Sequence, residues 1–419
     1  MSKAPLVKNT RQNDLGVTMT FPTNGSSAIK YYRMEVPLHG IHTGGFGHTF
    51  LNEKDGDIEL AFRVLMGSDI GVYWRPMNKD SYDYFKEFSE YTPIDKDGVT
   101  VYPPLLLIDS DDAIDWIHPF NHAYNALGVR DQEGNILTPG QNVYVNYGGK
   151  KEILWEDGFT RGQGDKVFDI ARNLQNIGYH YDIARVVSGV TVTNDFLAQI
   201  YKDQGCEEVY VFPNSVIPEH HWHPDLVPHE GVRILWEGGA SHLDSWISIK
   251  PPIIDVLKNN PHAKLVVFGD HFDWMEKEIA PEQLELHPWV DYAGYKLYRA
   301  CMDADINLAP LTDSAFTRAK SAIRWYEASL GPNPEATLAA NVGPYKEIEH
   351  NKTGMLYNTP QEFAEMLHGL IANADLRKTL GAGAQKWVLA NRTVEKTVPG
   401  LVEFYKHLLA KQRREFLKP

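Results

Sequence analysis

The sequence predicts an α/β protein of two doubly wound domains that face each other across a cleft. Three observations carry that expectation. Short apolar runs alternate with amphipathic segments along nearly the whole chain, the rhythm of parallel strands with helices on both sheet faces. One stretch, "VIPEHHWHPDLVPHEG" (216–231), breaks that rhythm and is rich in Pro and His, so it reads as a linker. The 419 residues are enough for two or three domains. The expected boundaries are 1–215 for the first domain, 216–231 for the linker and 232–395 for the second domain. A last helix at 396–419 is expected to pack back on the first domain.

The elements follow in order. "LGVTMTF" (15–21) is a short strand, followed by a glycine turn and the helical "AIKYYRMEVPLHGI". "DIGVYWRP" (69–76) and "PPLLLIDSDD" (103–112) are further strands, the second buried and ending in acids. "QNVYVNY" (141–147) has strand character, "VSGVTVTNDFLAQIYKDQG" reads as strand then helix, and "EEVYVFPNSV" as one more strand. Beyond the linker, "VRILWEGG" is a strand running into a glycine loop, "IIDVLKNN" a helix, "AKLVVFGD" a strand and "HPWVDYAG" a short strand. "KLYRACMDA" is a helix and "DINLAPL" a strand. "FTRAKSAIRWYEASLG" (316–331) reads as one helix with Lys320 in its first turn. "ATLAANVG", "GMLYN" and the helices from 360 to 411 complete the pattern, with no internal repeat.

Composition narrows the function classes. Hydrophobic residues at 43% and charged residues at 23% describe a globular chain. Lys and Arg total 41 against 55 acids, a net charge of -14, which argues against a general attraction to nucleic acid or anionic membrane while leaving a local basic cleft open. Two cysteines, Cys206 and Cys301, exclude a disulfide scaffold and most cysteine-based zinc sites. The opening residues carry no apolar leader, and no run approaches the ~20 apolar residues a membrane span needs. A cytoplasmic protein is expected.

Ligands of doubly wound sheets bind beyond the carboxyl ends of the strands, so the loops after strands hold the candidates. After "DINLAPL" come Arg318, Lys320 and Ser321 at a helix start, where free N–H groups and partial positive charge favour an anion. Glu327 follows on the same helix. A phosphate at the helix start and a ribose diol at Glu327 fit a nucleotide diphosphate; a solvated amphipathic helix is the plain alternative. In "EGGASHLD", Gly238 and Gly239 let the backbone approach a ligand, which aims Ser241, His242 and Asp244 at the cleft. The alternative there is a turn with Asp244 as helix cap. Gly343 follows another strand, and Gly25 and Ser26 stand at the first helix start, without the full dinucleotide fingerprint. In "LLLIDSDDAIDWIHPFNHAY", Asp109, Asp111 and Asp112 follow a buried strand, where a desolvated carboxylate can act as base. His118 and His122 share a face if that segment is helical. The Asp/His spacing matches no recognised metal site, and no metal is expected.

Several of these pieces occur together in one family. "VYVFPNSV", "RILWEGGASHLDSW", "AKLVVFGD", "DINLAPLTDSAFTRAKSAIRWYEASLG", "LAANVGPYKEIEHNKTGMLY" and "LRKTLGAGAQKWVLANRTVEK" cover most of 205–395. Their order and spacing resemble the GT-B glycosyltransferases, most closely the retaining GT4-like group. The resemblance implies two Rossmann-like domains, a nucleotide-diphospho sugar (a UDP-sugar) as co-substrate with no bound cofactor, a hydroxyl acceptor, and a donor held mainly by the C-terminal domain. In that family a carboxylate pair eight positions apart marks the donor site. Its second member, which holds the ribose, maps to Glu327; its first falls at Ala319, which is no acid. The chain carries instead a variant, Phe-x-x-Ala-Lys-Ser, which implies that Lys320 and Ser321 meet the diphosphate. The Arg and Lys that the family often places after the first strand of this domain are missing from "GGASHLDSW", so Arg318 and Lys320 are the expected substitutes.

The variant also resembles transferases of phage and environmental origin, some of which glycosylate hydroxymethylated pyrimidines in DNA. That implies a 5-hydroxymethylpyrimidine base in phage DNA as acceptor, with Lys3, Lys8, Arg11, Lys30 and Arg33 as a basic edge, in a host cytoplasm. The competing acceptors are cell-surface glycans and lipid-linked saccharides. Two other classes are a UDP-sugar epimerase, which needs no acceptor, and a non-catalytic nucleotide-sugar binding protein.

Overall fold

The computed structural model describes residues 15–22, 27–53, 58–91, 102–147, 150–160, 167–221, 224, 229–239 and 242–416. Gly25, Ser26 and Ser241, three of the ligand candidates, lie outside the described residues, as do Lys3, Lys8 and Arg11.

Fourteen strands are described, and twelve of them form two parallel sheets of six. In chain order the strands are β1 (Leu15–Phe21), β2 (Gly47–Glu53), β3 (Ile70–Trp74), β4 (Leu105–Ser110), β5 (Val143–Tyr147), β6 (Lys150–Trp155) and β7 (Gly189–Val192). They continue as β8 (Val209–Val211), β9 (Val232–Gly238), β10 (Ala263–Gly269), β11 (Leu284–His287), β12 (Ile306–Ala309), β13 (Ala336–Ala340) and β14 (Met355–Tyr357). The first sheet has the order β2-β1-β3-β4-β7-β8 and the second β11-β10-β9-β12-β13-β14. The expected strand at 141–147 is present but joins neither sheet; β5 pairs antiparallel with β6 alone. The strand expected at "HPWVDYAG" ends at His287, so that Pro288 to Asp291 form a loop.

The chain divides into two compact units. The first comprises the residues up to Asp112, Leu174–Asn214 and those from Val394 on; the second comprises Ala113–Asn173 and Ser215–Thr393. The segment Ala113–Asn173 therefore belongs with the second unit, although it precedes β7 of the first sheet in sequence. It has a small aromatic core of its own, with Tyr124 stacked on Phe168 at 5.4 Å and Trp155 against both.

The central strands bury residues on both faces, as strands of a helix-covered parallel sheet must. All six residues of β4 are buried, as are all five of β13. The helix Leu243–Asn259 begins well before the expected "IIDVLKNN" and carries Pro251 and Pro252 in its interior. Proline there removes a helix hydrogen bond. Buried Trp246, Ile249, Ile253 and Val256 pin both halves of the helix to the sheet. In the first unit the helix Val394–Phe416 packs on the helix Val36–Thr43, and its Phe404 stacks on Tyr210 of β8 at 4.9 Å. No described helix is long and apolar enough to cross a membrane.

One buried ion pair ties the first unit together. A π turn at Tyr31–Glu35 directs Arg33 inward, where it is 1% exposed. Its guanidinium donates to both carboxylate oxygens of Asp109 (2.9 and 2.6 Å), to the Phe212 carbonyl (2.6 Å) and to the Asn214 side chain (2.9 Å). Thr191 of β7 donates a further hydrogen bond to Asp109 at 2.6 Å. Both Asp109 oxygens are thus committed inside the core, which corrects the expectation of a catalytic Asp109. The basic edge is corrected as well among its described members. Arg33 is consumed by Asp109, and buried Lys30 pairs with Glu53 and Glu35.

Removing one partner of a buried pair strands the other charge. Arg33→Met should destabilise the protein by about 3–5 kcal/mol in chemical denaturation. A loss within the error of the extrapolation would show that the pair does not bind the sheet together.

Candidate functional site

In the second sheet, β10 and β11 lie on one side of β9, and β12, β13 and β14 on the other. The connections leaving β9 and β12 therefore diverge, and this reversal of strand order opens a crevice at the carboxyl ends of the strands. Two loops border it. One runs from β9 through Gly238 and Gly239 into the helix Leu243–Asn259, with His242 at its N-cap position. The other leaves β12 and carries the Phe-x-x-Ala-Lys-Ser motif.

The motif is not one helix. Ser314 caps a short helix, Ala315–Arg318, through a reciprocal pair of bonds with Thr317. The chain then breaks, burying Ala319 and Ala322 and leaving Lys320 and Ser321 half-buried, before a second helix at Ile323–Ala328. Lys320 therefore lies in the break rather than in a first helical turn. Gly343 supports the break from behind. Its φ is +48°, and a β-carbon there would come within 2.8 Å of the Thr317 carbonyl oxygen.

The second helix brings Arg324 to the end of β9. Its guanidinium lies 5.5 Å from the ring centroid of Trp236, which is fully buried. A β-carbon on Gly238 would sit 2.4 Å from Arg324 Nη2, so a side chain at 238 would displace the guanidinium. Arg324 Nη1 is buried and has no hydrogen-bond partner among the described residues. His242 packs edge-on against Trp236 at 6.4 Å. Burial above all, with the nearby charges of Arg324 and Lys320, holds its imidazole neutral well below the ordinary histidine range. The Lys320 ammonium rests 4.2 Å over the Phe316 ring. Two cations and a neutral imidazole thus gather at the start of a 17-residue helix that has no side-chain cap. Helix amides and cations together make an anion site.

His118 belongs to this unit. Burial lowers its titration, and the charge of Asp244, in the first turn of the same helix, opposes that shift. The segment around His118 is a turn and not a helix, so His122 does not share a helical face with it; the His122 side chain is exposed. Asp244, the alternative helix cap, is instead the second residue of the helix, and His242 takes the N-cap position. Arg318 points elsewhere. It is exposed and holds Asp313 through two bonds of 2.7 and 2.8 Å. The cation after β12 that reaches the glycine loop is Arg324, which the sequence reading missed. Its signal was its spacing, four residues beyond Lys320.

Glu327 lies in the last turn of the second helix, 7% exposed. Its oxygens accept hydroxyls from Tyr295 (2.8 Å) and Tyr292 (3.3 Å), both on the helix Tyr292–Cys301. These bonds orient the carboxylate, whose two oxygens act only as acceptors when ionised. An open recess also borders Glu327, but Gly238, His242, Lys320 and Arg324 are absent from its lining. There Arg299 bridges buried Glu237 (2.9 Å) and Glu335 (2.6 Å), and burial raises the Glu335 carboxyl to about 7.

Asp111 and Asp112 are in the first unit. Asp111 accepts from the Trp74 indole at 3.1 Å, and Arg75, with a left-handed φ of +41°, stands 3.8 and 3.7 Å from the two carboxylates. Burial and the neighbouring Asp112 raise the Asp111 carboxyl above its usual range.

An anion that neutralises Arg324 and Lys320 removes the field opposing imidazolium at His242. The bound state then protonates more readily than the free one, so binding takes up a proton and tightens as pH falls. Sulfate keeps one charge across this range. Burial, the larger cause of the shift, persists in the bound state, so by calorimetry the rise in sulfate affinity should come only as pH falls well below the ordinary histidine range, and His242→Asn should remove it; a wild-type profile indistinguishable from that of His242→Asn over that range would contradict the arrangement.

No protein-family model matches the sequence, and no curated protein matches it either. Solved structures do match. Anabaena HepE in complex with UDP and glucose superimposes with a TM-score of 0.53 at 10% identity, covering 94% of this chain and 99% of that one. A glycosyltransferase from Rickettsia africae gives 0.55 at 14%, covering 95% and 99%. TarM, also solved from S. aureus with UDP, gives 0.54 at 10%, covering 93% and 98%. At such identities the likeness shows the fold: two Rossmann-like α/β domains of GT-B type, each on a six-stranded parallel sheet.

Proposed function

We propose that this chain is a glycosyltransferase that moves a sugar from a nucleotide-diphospho sugar, a UDP-sugar, to a hydroxyl acceptor. One observation carries the reading: Arg324, whose buried Nη1 has no partner among the described residues, beside Lys320 and neutral His242, at a helix start on the strand-order reversal. The fold supports it, since HepE was solved with UDP-glucose and TarM with UDP.

The roles follow from the chemistry. As the sugar–phosphate bond breaks, negative charge gathers on the leaving diphosphate. Arg324, Lys320, the Ser321 hydroxyl and the first amides of Leu243–Asn259 stabilise that charge from fixed positions, with no reorganisation at the moment of reaction. Gly238, Gly239 and Gly343 shape the loops that hold these groups. Glu327, oriented by its two tyrosines, accepts the ribose hydroxyls. His118, held neutral at pH 7, accepts a hydrogen bond from a sugar hydroxyl. Retention of configuration rests on the GT4-like motif order alone.

For the acceptor, the motif variant favours a hydroxymethylated pyrimidine in DNA, whereas the charges favour a saccharide hydroxyl. A polyanion needs a basic track, and Arg33 and Lys30 are spent on internal ion pairs. We therefore place the saccharide acceptor first. Salt dependence separates the two, because DNA binding releases counterions and weakens steeply with salt.

Lys320→Ala should weaken UDP binding by about 1.5–3 kcal/mol, the value of a charged hydrogen bond, in calorimetry. Unchanged affinity would remove Lys320 from the donor site. With UDP-sugar supplied, product formed only with acceptor supports transfer. Isomerised UDP-sugar without acceptor identifies an epimerase, and binding without turnover identifies a non-catalytic receptor.

A further inference from the structure

The recess beside Glu327 is a different place from the anion corner. Asp303 and Ala304, which line it, come just before β12, and Glu335, which also lines it, comes just before β13. These parallel strands begin there, so the recess lies towards the amino-terminal edge of the sheet. The loops with Lys320 and Arg324 leave the opposite ends of the strands. The helix Tyr292–Cys301 spans the distance. Its Tyr295 reaches Glu327, and Arg299, about 6 Å further along the helix, reaches Glu237 and Glu335.

The charges there do not balance. Glu237 and Glu335 are 3% and 6% exposed, and they share the one guanidinium of Arg299. Glu327 and Asp303 add two more carboxyl groups to the lining, and Lys296, its ammonium 5.1 Å over the Tyr292 ring, adds one more cation. Four carboxyl groups therefore surround two cations. The hydrogen bonds are incomplete as well. Glu335 Oε2 and Arg299 Nη2 are buried and have no hydrogen-bond partner among the described residues. Unused buried donors and acceptors are costly to keep. Burial of the Glu335 carboxyl raises it to about 7, the response of an acid whose charge is only partly compensated.

The unused atoms define what fits. Glu335 needs an N–H or O–H donor, and Arg299 needs an oxygen acceptor. The excess of carboxyl groups selects a donor that carries positive charge. No group of three or more His, Cys, Asp or Glu among the described residues is placed to hold a metal ion, so the cation is one that brings its own N–H groups. The free volume for water-sized groups is about 50 Å³. At roughly 10–15 Å³ for each such group, that holds about three to five of them. This is the size of an amino alcohol and far below that of a nucleotide.

We propose that this recess is a second binding site, for a small organic cation that carries a hydroxyl beside its ammonium group. The ammonium sits at Glu335 and the hydroxyl oxygen accepts from Arg299. The site is independent of the donor reading except for Glu327, which borders the recess and is assigned to the donor. Its occupant bears on the helix that orients Glu327. A free amino alcohol and the edge of an amino sugar share this chemistry, and the probes separate them.

The test is calorimetric titration in slightly alkaline, amine-free buffer, where Glu335 is ionised. The probes are ethanolamine, ethylammonium, ethylene glycol and glucosamine. The proteins are wild type, Glu335→Gln and Ala300→Leu; the last fills the lining without touching a charge, and thermal unfolding checks that both variants fold. Wild type should bind ethanolamine more tightly than ethylammonium, which lacks the hydroxyl, and than ethylene glycol, which lacks the charge. Glu335→Gln should weaken ethanolamine by about tenfold or more, the worth of a charged hydrogen bond. Ala300→Leu should abolish its binding and leave UDP affinity within about twofold. Glucosamine binding tighter than ethanolamine supports the site with an amino sugar as its ligand, and the reverse order supports it with a free amino alcohol. No saturable ethanolamine binding to wild type, equal affinity for ethanolamine and either simpler probe, or unchanged ethanolamine affinity in a folded Glu335→Gln or Ala300→Leu overturns the proposal. Each of these results leaves the donor site standing wherever UDP still binds.

Discussion

The second domain is organised around a strand-order reversal that leaves two cations and one buried imidazole at the same corner. β9 and β12 are adjacent in the sheet, and the loops that follow them close on each other at Gly238 and Arg324. The absence of a side chain at 238 lets the guanidinium in, and the bulk of Trp236 gives it a surface to lie on. Burial above all, with the Arg324 and Lys320 charges beside it, keeps His242 neutral. A corner like this is costly in the folded protein, since two cations stand close together and the buried Arg324 Nη1 goes without a partner among the described residues. An anionic ligand relieves both strains at once, which is why geometry that is unfavourable for stability is informative about function.

The same logic separates structural charges from candidate functional ones. Asp109 and Arg33 are buried together and satisfy each other through two parallel bonds, with Thr191, Phe212 and Asn214 taking what remains. Arg318 and Asp313 form an exposed pair whose worth is small. In contrast, Arg75 is held in a left-handed backbone and stands beyond hydrogen-bond distance from both Asp111 and Asp112. Glu327 accepts the hydroxyls of Tyr292 and Tyr295, which orient its carboxylate.

The central strands of both sheets were legible in the sequence, because they are short runs of apolar residues such as "LLLI" and "KLVVF"; the edge strand β2, polar "GHTFLNE", was not read. The order of the second-domain motifs gave its carboxyl-end loops as the binding edge. Less was legible where local propensity and tertiary packing disagree. The 316–331 stretch has helical spacing and helix-forming alanines throughout, yet burial of Ala319 and Ala322 splits it. Reading it as one helix put Arg318 at the anion site and hid Arg324 in an interior turn. Trp289 was hidden in the same way, since "HPWVDYAG" looks like a strand and its tryptophan like core; only the structure shows it in water. The membership of Ala113–Asn173 in the second unit depends on contacts distant in sequence, which no local pattern records.

The account stands on Arg324, and not Arg318, as the arginine of the anion site. The most direct measurement is the dissociation constant of UDP for wild type, Arg324→Met and Arg318→Met, with thermal unfolding to confirm that both variants are folded. The account predicts a loss of about tenfold or more for Arg324→Met, the worth of a charged hydrogen bond, and a change within about twofold for Arg318→Met. Unchanged binding in Arg324→Met, or a large loss confined to Arg318→Met, would contradict it.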